Sequence, residues 1–215
     1  DLLERRADLE ASADAANAHR LGLARVLRDH LDDKAGAVDQ LERIVGEPEP
    51  PREAIADLEA LAADEALKAR IVEILRPIYE QADDWKRLVK LNEEQLAAAS
   101  SPRDKVLPLR DTAEKWETRG ADAGRAFAAL REAFALDAED TEVRAELERL
   151  AEQLGAWTEL AESFEAATAD GAEDFVRRDL LSRLAGGYDR RPDSPRPSLR
   201  ARLRLAQLEP TDPAP

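Results

Sequence analysis

His19 and His30 are the only imidazoles in the chain, and imidazole is the usual metal ligand and acid–base group near neutral pH. At about 100° per residue the two lie near one face of a helix. Eleven positions, however, separate them by roughly 16 Å along its axis. One metal cannot span that gap without other ligands, so no metal site is expected, and both histidines read as partly exposed helix residues. No nucleophile stands beside a base in a recognisable motif. No glycine-rich loop follows a strand, so the phosphate cradles of nucleotide-binding proteins are absent. Gly186-Gly187 falls inside a helical pattern and reads as a kink or a close contact. Glu142, Glu146 and Arg149 read as a solvated helix face with pairing three residues apart. Asp83-Asp84, just before Trp85, reads as a helix cap. Catalysis and cofactor binding are therefore not expected.

Arginine gathers near the C-terminus, at Arg183, Arg190, Arg191, Arg196, Arg200, Arg202 and Arg204, against only Asp189 and Asp193. Arg200 and Arg204 share a helix face. The functional reading is a docking patch for an acidic partner, a phosphate or a lipid head. The plainer reading, an ordinary exposed or inter-repeat face, is favoured. The whole chain points the other way, with a formal net charge of −15 and a pI near 4.7. Such a surface repels nucleic-acid phosphates and anionic lipid on average, so neither is expected as a partner. No cysteine is present, which excludes disulfides and thiolate metal sites and leaves the compartment open, with the cytoplasm favoured. No run approaches the roughly 20 apolar residues of a membrane-spanning helix, so no membrane insertion is expected.

The elements that must carry these residues are helices. Apolar residues recur at i, i+3, i+4 and i+7 along nearly every window. Examples are Leu21, Ala24, Leu27 and Leu31, then Val143, Leu147, Leu150 and Leu154, and a last stripe of Leu199, Leu203 and Leu208. No stretch alternates with period two. Pro51 and Pro102 sit where helices begin. Ser101 with Asp104 resembles a capping box. Gly120 and Gly155 are placed to take the left-handed conformation that ends a helix, and Pro48–Pro51 and Pro192–Pro197 read as stiff loops. About a dozen helices of ordinary length follow, with short connections that force sequence neighbours antiparallel.

The chain also repeats itself without a gap, at a constant offset of 72 in the numbering. Trp85 aligns with Trp157, Leu88 with Leu160, Leu109 with Leu181, Ala113 with Ala185, Trp116 with Tyr188, Phe127 with Leu199 and Leu136 with Leu208. Agreement confined to packing residues marks a stacked repeat array. The first third matches at an offset of 89, with Ala24 on Ala113, Leu27 on Trp116, Ala37 on Ala126 and Leu41 on Leu130. The excess of 17 is about one helix, and 67–81 is the natural extra one. The expected organisation is one continuous domain of three repeats: 1–84 with the extra helix, 85–156, and a truncated 157–215. The chain has no methionine and opens with Asp1-Leu2-Leu3-Glu4-Arg5-Arg6, which reads as the middle of a helix. A piece of a longer array is expected. Trp85, Trp116 and Trp157, at repeat-equivalent or stripe positions, read as core.

The spacing within each repeat resembles that of the tetratricopeptide repeat. Leu109, Ala113 and Trp116, then Leu181, Ala185 and Tyr188, fit the large, small and aromatic positions of its first helix. Ala126, Leu130, Ala133 and Ala138 fit its second helix, one residue late. Ser198 and Pro210 fit in the next copy, where Arg202 and Leu205 depart from the pattern. "LGAW" at Leu154–Trp157 and "LEPTDP" at Leu208–Pro213 look like the family's helix junctions. Arginine greatly outnumbers lysine, as in long arrays of this type from GC-rich bacteria. The resemblance implies an all-α fold, a right-handed α-solenoid of antiparallel helical hairpins. It implies a non-catalytic interaction scaffold whose concave face, lined by the first helix of each hairpin, takes a protein or peptide. Matched by position, Arg110, Glu114 and Glu117 point there in one repeat, and Arg25 and Arg28 in the first. The lysine and asparagine set that clamps a peptide carboxylate in chaperone-binding members is absent. The alternative is a structural spacer that self-associates by stacking end to end through exposed solenoid ends.

Overall fold

The computed structural model describes residues 13–47, 49–168, 174–189 and 195–208. The expectations placed on Asp1–Arg6, Pro48, Arg190, Arg191, Asp193, Pro210 and the side chains of Tyr188 and Arg196 lie outside the described residues. Within them the chain is all-helical, with eleven helices and no strand. They are α1 (Ala13–His30), α2 (Lys34–Val45), α3 (Arg52–Leu61), α4 (Glu65–Gln81), α5 (Trp85–Ala98), α6 (Pro102–Thr118), α7 (Ala123–Leu136), α8 (Thr141–Leu154), α9 (Trp157–Ala167), α10 (Asp174–Asp189) and α11 (Pro195–Leu208). All connections between them are short. The helices group into two compact units, Asp1–Ala98 and Ala99–Pro215.

The helix starts carry both sequence offsets. Ala13, Lys34 and Arg52 begin α1, α2 and α3, and the offset of 89 carries them onto Pro102, Ala123 and Thr141, which begin α6, α7 and α8. Trp85, Pro102 and Ala123 begin α5, α6 and α7, and the offset of 72 carries them onto Trp157, Asp174 and Pro195, which begin α9, α10 and α11. α4, at 17 residues, accounts for the difference between the offsets.

Local chemistry fixes these starts. Ser101 Oγ accepts from Asp104 N at 3.3 Å while Asp104 Oδ2 accepts from Ser101 N at 3.2 Å, closing the box at the head of α6. Asp33, Asp64, Asp122 and Asp140 cap α2, α4, α7 and α8 through their carboxylates, and Asp84 accepts from Arg87 N at the start of α5. Each satisfies amide N–H groups that no helical carbonyl reaches. Four connections share one turn: a residue at positive φ is followed by the residue that precedes the next helix. The positive-φ residues are Asp32 (53°), Asp83 (52°), Ala121 (50°) and Gly155 (69°). The following amides of Asp33, Asp84, Asp122 and Ala156 each donate back to the preceding helix at 2.9 Å.

Gly120 does not take the left-handed role expected of it; Ala121 does. Gly120 is instead needed for space, since a Cβ there would lie 2.7 Å from Trp116 Cε3 and 2.9 Å from the Trp116 carbonyl oxygen. Gly186 makes no close contact, because a Cβ there would meet nothing within 4 Å. Backbone at Pro195–Pro197 is already helix rather than loop, as proline permits in a first turn. Pro77 and Pro108 sit inside α4 and α6. The carbonyls they leave without an N–H donor belong to Glu73 and Asp104, both exposed residues.

In the first unit Leu41, Ile44, Leu58, Ile71 and Leu75 are buried together. In the second, α7 and α9 meet through Phe134 and Phe164, both buried, with ring centroids 5.2 Å apart and planes tilted by 41°. Leu130, Leu147, Leu150 and Leu180 are buried alongside, each worth about 1.5–3 kcal/mol against exposure. The three tryptophans are not core: Trp85, Trp116 and Trp157 are all half-buried. Trp85 and Trp157 open their helices, where a side chain reaches only the margin of the core, and the Arg125 guanidinium lies over the Trp116 ring at 4.3 Å. Leu31, Leu154, Leu199 and Leu203, expected in apolar stripes, are exposed.

Candidate partner-binding surfaces

Arginine and carboxylate side chains tie together helices two apart in the chain. In the first unit Arg25 and Arg28 on α1 both reach Asp57 on α3, each at 2.9 Å. Arg70 on α4 pairs with Asp39 on α2 at 2.7 Å and also with Glu42. Arg87 on α5 lies 3.7 Å from Glu59 on α3. In the second unit Arg110 on α6 reaches Glu142 on α8 at 2.7 Å and lies 3.8 Å from Asp140. Arg149 on α8 grips Glu117 on α6 with both terminal nitrogens, at 2.8 and 2.6 Å. Arg131 on α7 donates to Ser163 on α9 at 3.0 Å. From α8, Arg144 and Glu148 pair with Asp179 and Arg183 of α10 at 3.2 and 2.9 Å. Next-nearest helices are therefore cross-linked by charge along each unit.

Four of the five residues expected on a ligand face, Arg25, Arg28, Arg110 and Glu117, belong to this ladder. Their charge is matched within the chain. Glu114 differs: it is exposed, and Lys115 lies 3.9 Å away. Arg149 beside Glu117 holds that carboxyl below the usual carboxylate range, chiefly through its hydrogen bonds. Glu142 and Arg149, read from sequence as part of a solvated α8 face on which Glu146 pairs with Arg149, instead make these pairs across to α6. The signal was present in the sequence: Arg25 and Asp57, Arg110 and Glu142, Glu117 and Arg149 are each 32 residues apart. It becomes meaningful only once α1 neighbours α3 and α6 neighbours α8.

One polar cluster joins α3, α4 and α5. Tyr79, buried, donates to Glu59 Oε1 at 2.6 Å, and the Arg87 guanidinium stacks 5.3 Å from its ring centroid. Burial, then the Glu59 hydrogen bond, raises the phenol well above its usual range. It stays protonated and serves as a donor, not as a base or nucleophile. A hollow of about 630 Å³ beside it is lined by residues that include Arg52, Ile55, Glu59, Ile78, Asp84 and Arg87.

A second hollow, of about 900 Å³, lies between α7 and α9. Ala128, Ala135, Ala138, Ala166 and Ala167 give it a floor of small apolar residues, with exposed Leu136 and buried Val176 of α10 also lining it. Its polar lining is acidic: Glu132, Asp137, Glu139 and Glu162 face one cation, Arg131, already engaged with Ser163 and 3.8 Å from Glu162. Glu132 and Glu139 are exposed and make no ion pair among the described residues. An apolar floor with a carboxylate rim suits a protein segment that carries small apolar side chains beside lysine or arginine. The sequence reading missed this groove, because its floor is alanine from two helices that are not consecutive in the chain, one starting at Ala123 and the other at Trp157.

Of the C-terminal arginines, Arg183 on α10 is paired with Glu148 and Asp179, whereas the two expected to share a helix face lie on α11. Arg200 and Arg204 are exposed and unpaired among the described residues, next to exposed Leu199 and Leu203. Ala201, on the opposite side, is buried. Among the described residues no three His, Cys, Asp or Glu side chains converge as metal ligands, and no helix is long and apolar enough to cross a membrane. Neither a scan against protein-family models nor a search of curated proteins finds a match to the chain.

Proposed function

We propose that this chain is a non-catalytic interaction scaffold of the tetratricopeptide type, a right-handed α-solenoid of antiparallel helical hairpins. A protein or peptide partner docks in it. The recurrence of helix starts at offsets of 72 and 89 carries the reading, because it makes successive blocks of helices copies of one another, as in a stacked array. Alanines such as Ala113 and Ala133, buried at repeat positions, let helices approach closely. The charge ladder between next-nearest helices stiffens the stack and occupies Arg25, Arg28, Arg110 and Glu117. The groove between α7 and α9 is then the better place for a partner. It is concave, apolar at its floor and charged at its rim.

A photo-crosslinking amino acid at Ala135, in the protein produced in its own cells, tests this. The expected result is a discrete adduct that disappears when Glu132→Lys and Glu139→Lys reverse the rim. No adduct, or adducts indifferent to the reversal, would remove the groove from the proposal.

A further inference from the structure

The offset of 72 places α11 on α7, and the two helices carry opposite chemistry at equivalent positions. Ala128, Arg131, Glu132 and Ala135, which line the groove, correspond to Arg200, Leu203, Arg204 and Gln207. A buried Phe127 corresponds to Leu199, 60% exposed, and Leu203 is 58% exposed. Leu199 and Leu203 lie one turn apart, about 6 Å along the helix, with Arg200 and Arg204 forming a parallel stripe beside them. The face of α11 is therefore apolar and basic, whereas the groove between α7 and α9 is apolar and acidic. α11 is also held in place, since Arg178 on α10 donates to the Leu208 carbonyl at 3.0 Å. Its exposed stripe is thus turned away from its own chain.

We propose that α11 of one molecule seats in the α7/α9 groove of a second copy. Leu199 and Leu203 lie on the alanine floor, and Arg200 and Arg204 meet Glu132 and Glu139. Charge complementarity selects this occupant: both cations and both carboxylates are exposed and unmatched among the described residues of one chain. Two stripes on one helix make a contact at the small end of the interface range. The general repulsion of a chain at −15 opposes it further, so the association is weak and concentration-dependent. This docking rests on the groove of the proposed function and names its occupant.

Sedimentation equilibrium on the whole chain, from micromolar to submillimolar, reads the outcome. The weight-average mass is expected to rise above the 23.8 kDa monomer. Leu199→Ser with Leu203→Ser, Glu132→Arg with Glu139→Arg, and Arg200→Glu with Arg204→Glu should each weaken association about tenfold or more. All six sites are exposed, and circular dichroism checks that each variant folds. The decisive arm mixes the two charge-reversed proteins. Each repels itself, but the basic groove of one matches the acidic helix of the other, so the mixture should associate where neither does alone. A mass fixed at the monomer value, a mixture that stays monomeric, or association indifferent to groove reversal would overturn the proposal. A monomeric chain whose Ala135 crosslinker traps a different protein would overturn self-docking alone and leave the scaffold standing. If the crosslinker also traps nothing, the groove falls with it as a docking site.

Discussion

Asp179→Asn tests whether the ladder contains a pair that the fold depends on. The Arg144 side chain on α8 is 10% exposed, and Asp179 on α10, 3.2 Å away, is 38% exposed. Exposed ion pairs contribute about 0–1 kcal/mol, whereas breaking a buried pair costs about 3–5 kcal/mol, because one charge is left unmatched away from water. One partner here is buried and the other half-open, which places the loss between those limits, at about 2 kcal/mol. The two ends are not equivalent. Asp179 keeps Arg183, at 3.0 Å, when Arg144 is removed. Arg144 is left desolvated when Asp179 is neutralised. Arg144→Met keeps the packing of the stem and removes the charge, so it should cost only about 0–1 kcal/mol. The double variant should then resemble Arg144→Met alone, giving a coupling of about 2 kcal/mol. Urea unfolding at neutral pH, followed by far-UV circular dichroism, measures all three through their midpoints at constant slope. An Arg144→Met variant at least as destabilised as Asp179→Asn would refute the reasoning, since it would mean that the guanidinium is not desolvated.

Three further expectations rest on separate features. Gly120→Ala should cost about 1–3 kcal/mol, because the new Cβ meets the Trp116 ring and carbonyl. Ala121→Gly should add up to about 1 kcal/mol by relieving a φ of 50°, and thermal denaturation reads both; a neutral Gly120→Ala would deny the close approach. Phe164→Ala should cost about 3–5 kcal/mol, with about 1 kcal/mol of coupling to Phe134 in a double-mutant cycle, given rings 5.2 Å apart. The carboxyl of Glu117 sits below its unfolded value of about 4.3. Its contribution is complete above that value and is lost as pH falls through the lower folded one. Glu117→Gln should therefore flatten the acid side of a stability–pH curve, and an unchanged curve would separate Glu117 from Arg149.

The parts of the fold legible in the sequence are those set by residues close along the chain. The capping box at Ser101, the Asp84 cap and the left-handed Gly155 are local hydrogen-bond and steric choices, and all appear where expected. The extra helix read over 67–81 is α4, Glu65–Gln81. Other outcomes needed the turn geometry or a neighbour in space. Ala121, not Gly120, takes positive φ, because the shared turn puts that conformation immediately before the capping Asp122. The candidate surfaces divided in the same way. Arg200 and Arg204 could be placed on one face from their spacing alone. The engagement of Arg110 with Glu142 needed α8 beside α6.

By itself, the sequence determined that the described residues are helical and placed the starts of α5 and α6 through the Asp84 cap and the Ser101 box, while it read the start of α11 as loop. Period 3.6 patterning and capping act within a turn or two, and copying at offsets of 72 and 89 reproduces the same local instructions. The tertiary structure decided which charges are spent and which remain. It placed Arg25, Arg28, Arg110 and Glu117 in pairs with residues two helices away. It left the three tryptophans half-buried and opened a groove between α7 and α9. Side-chain burial and charge matching depend on which helix lies alongside, and packing alone settles that.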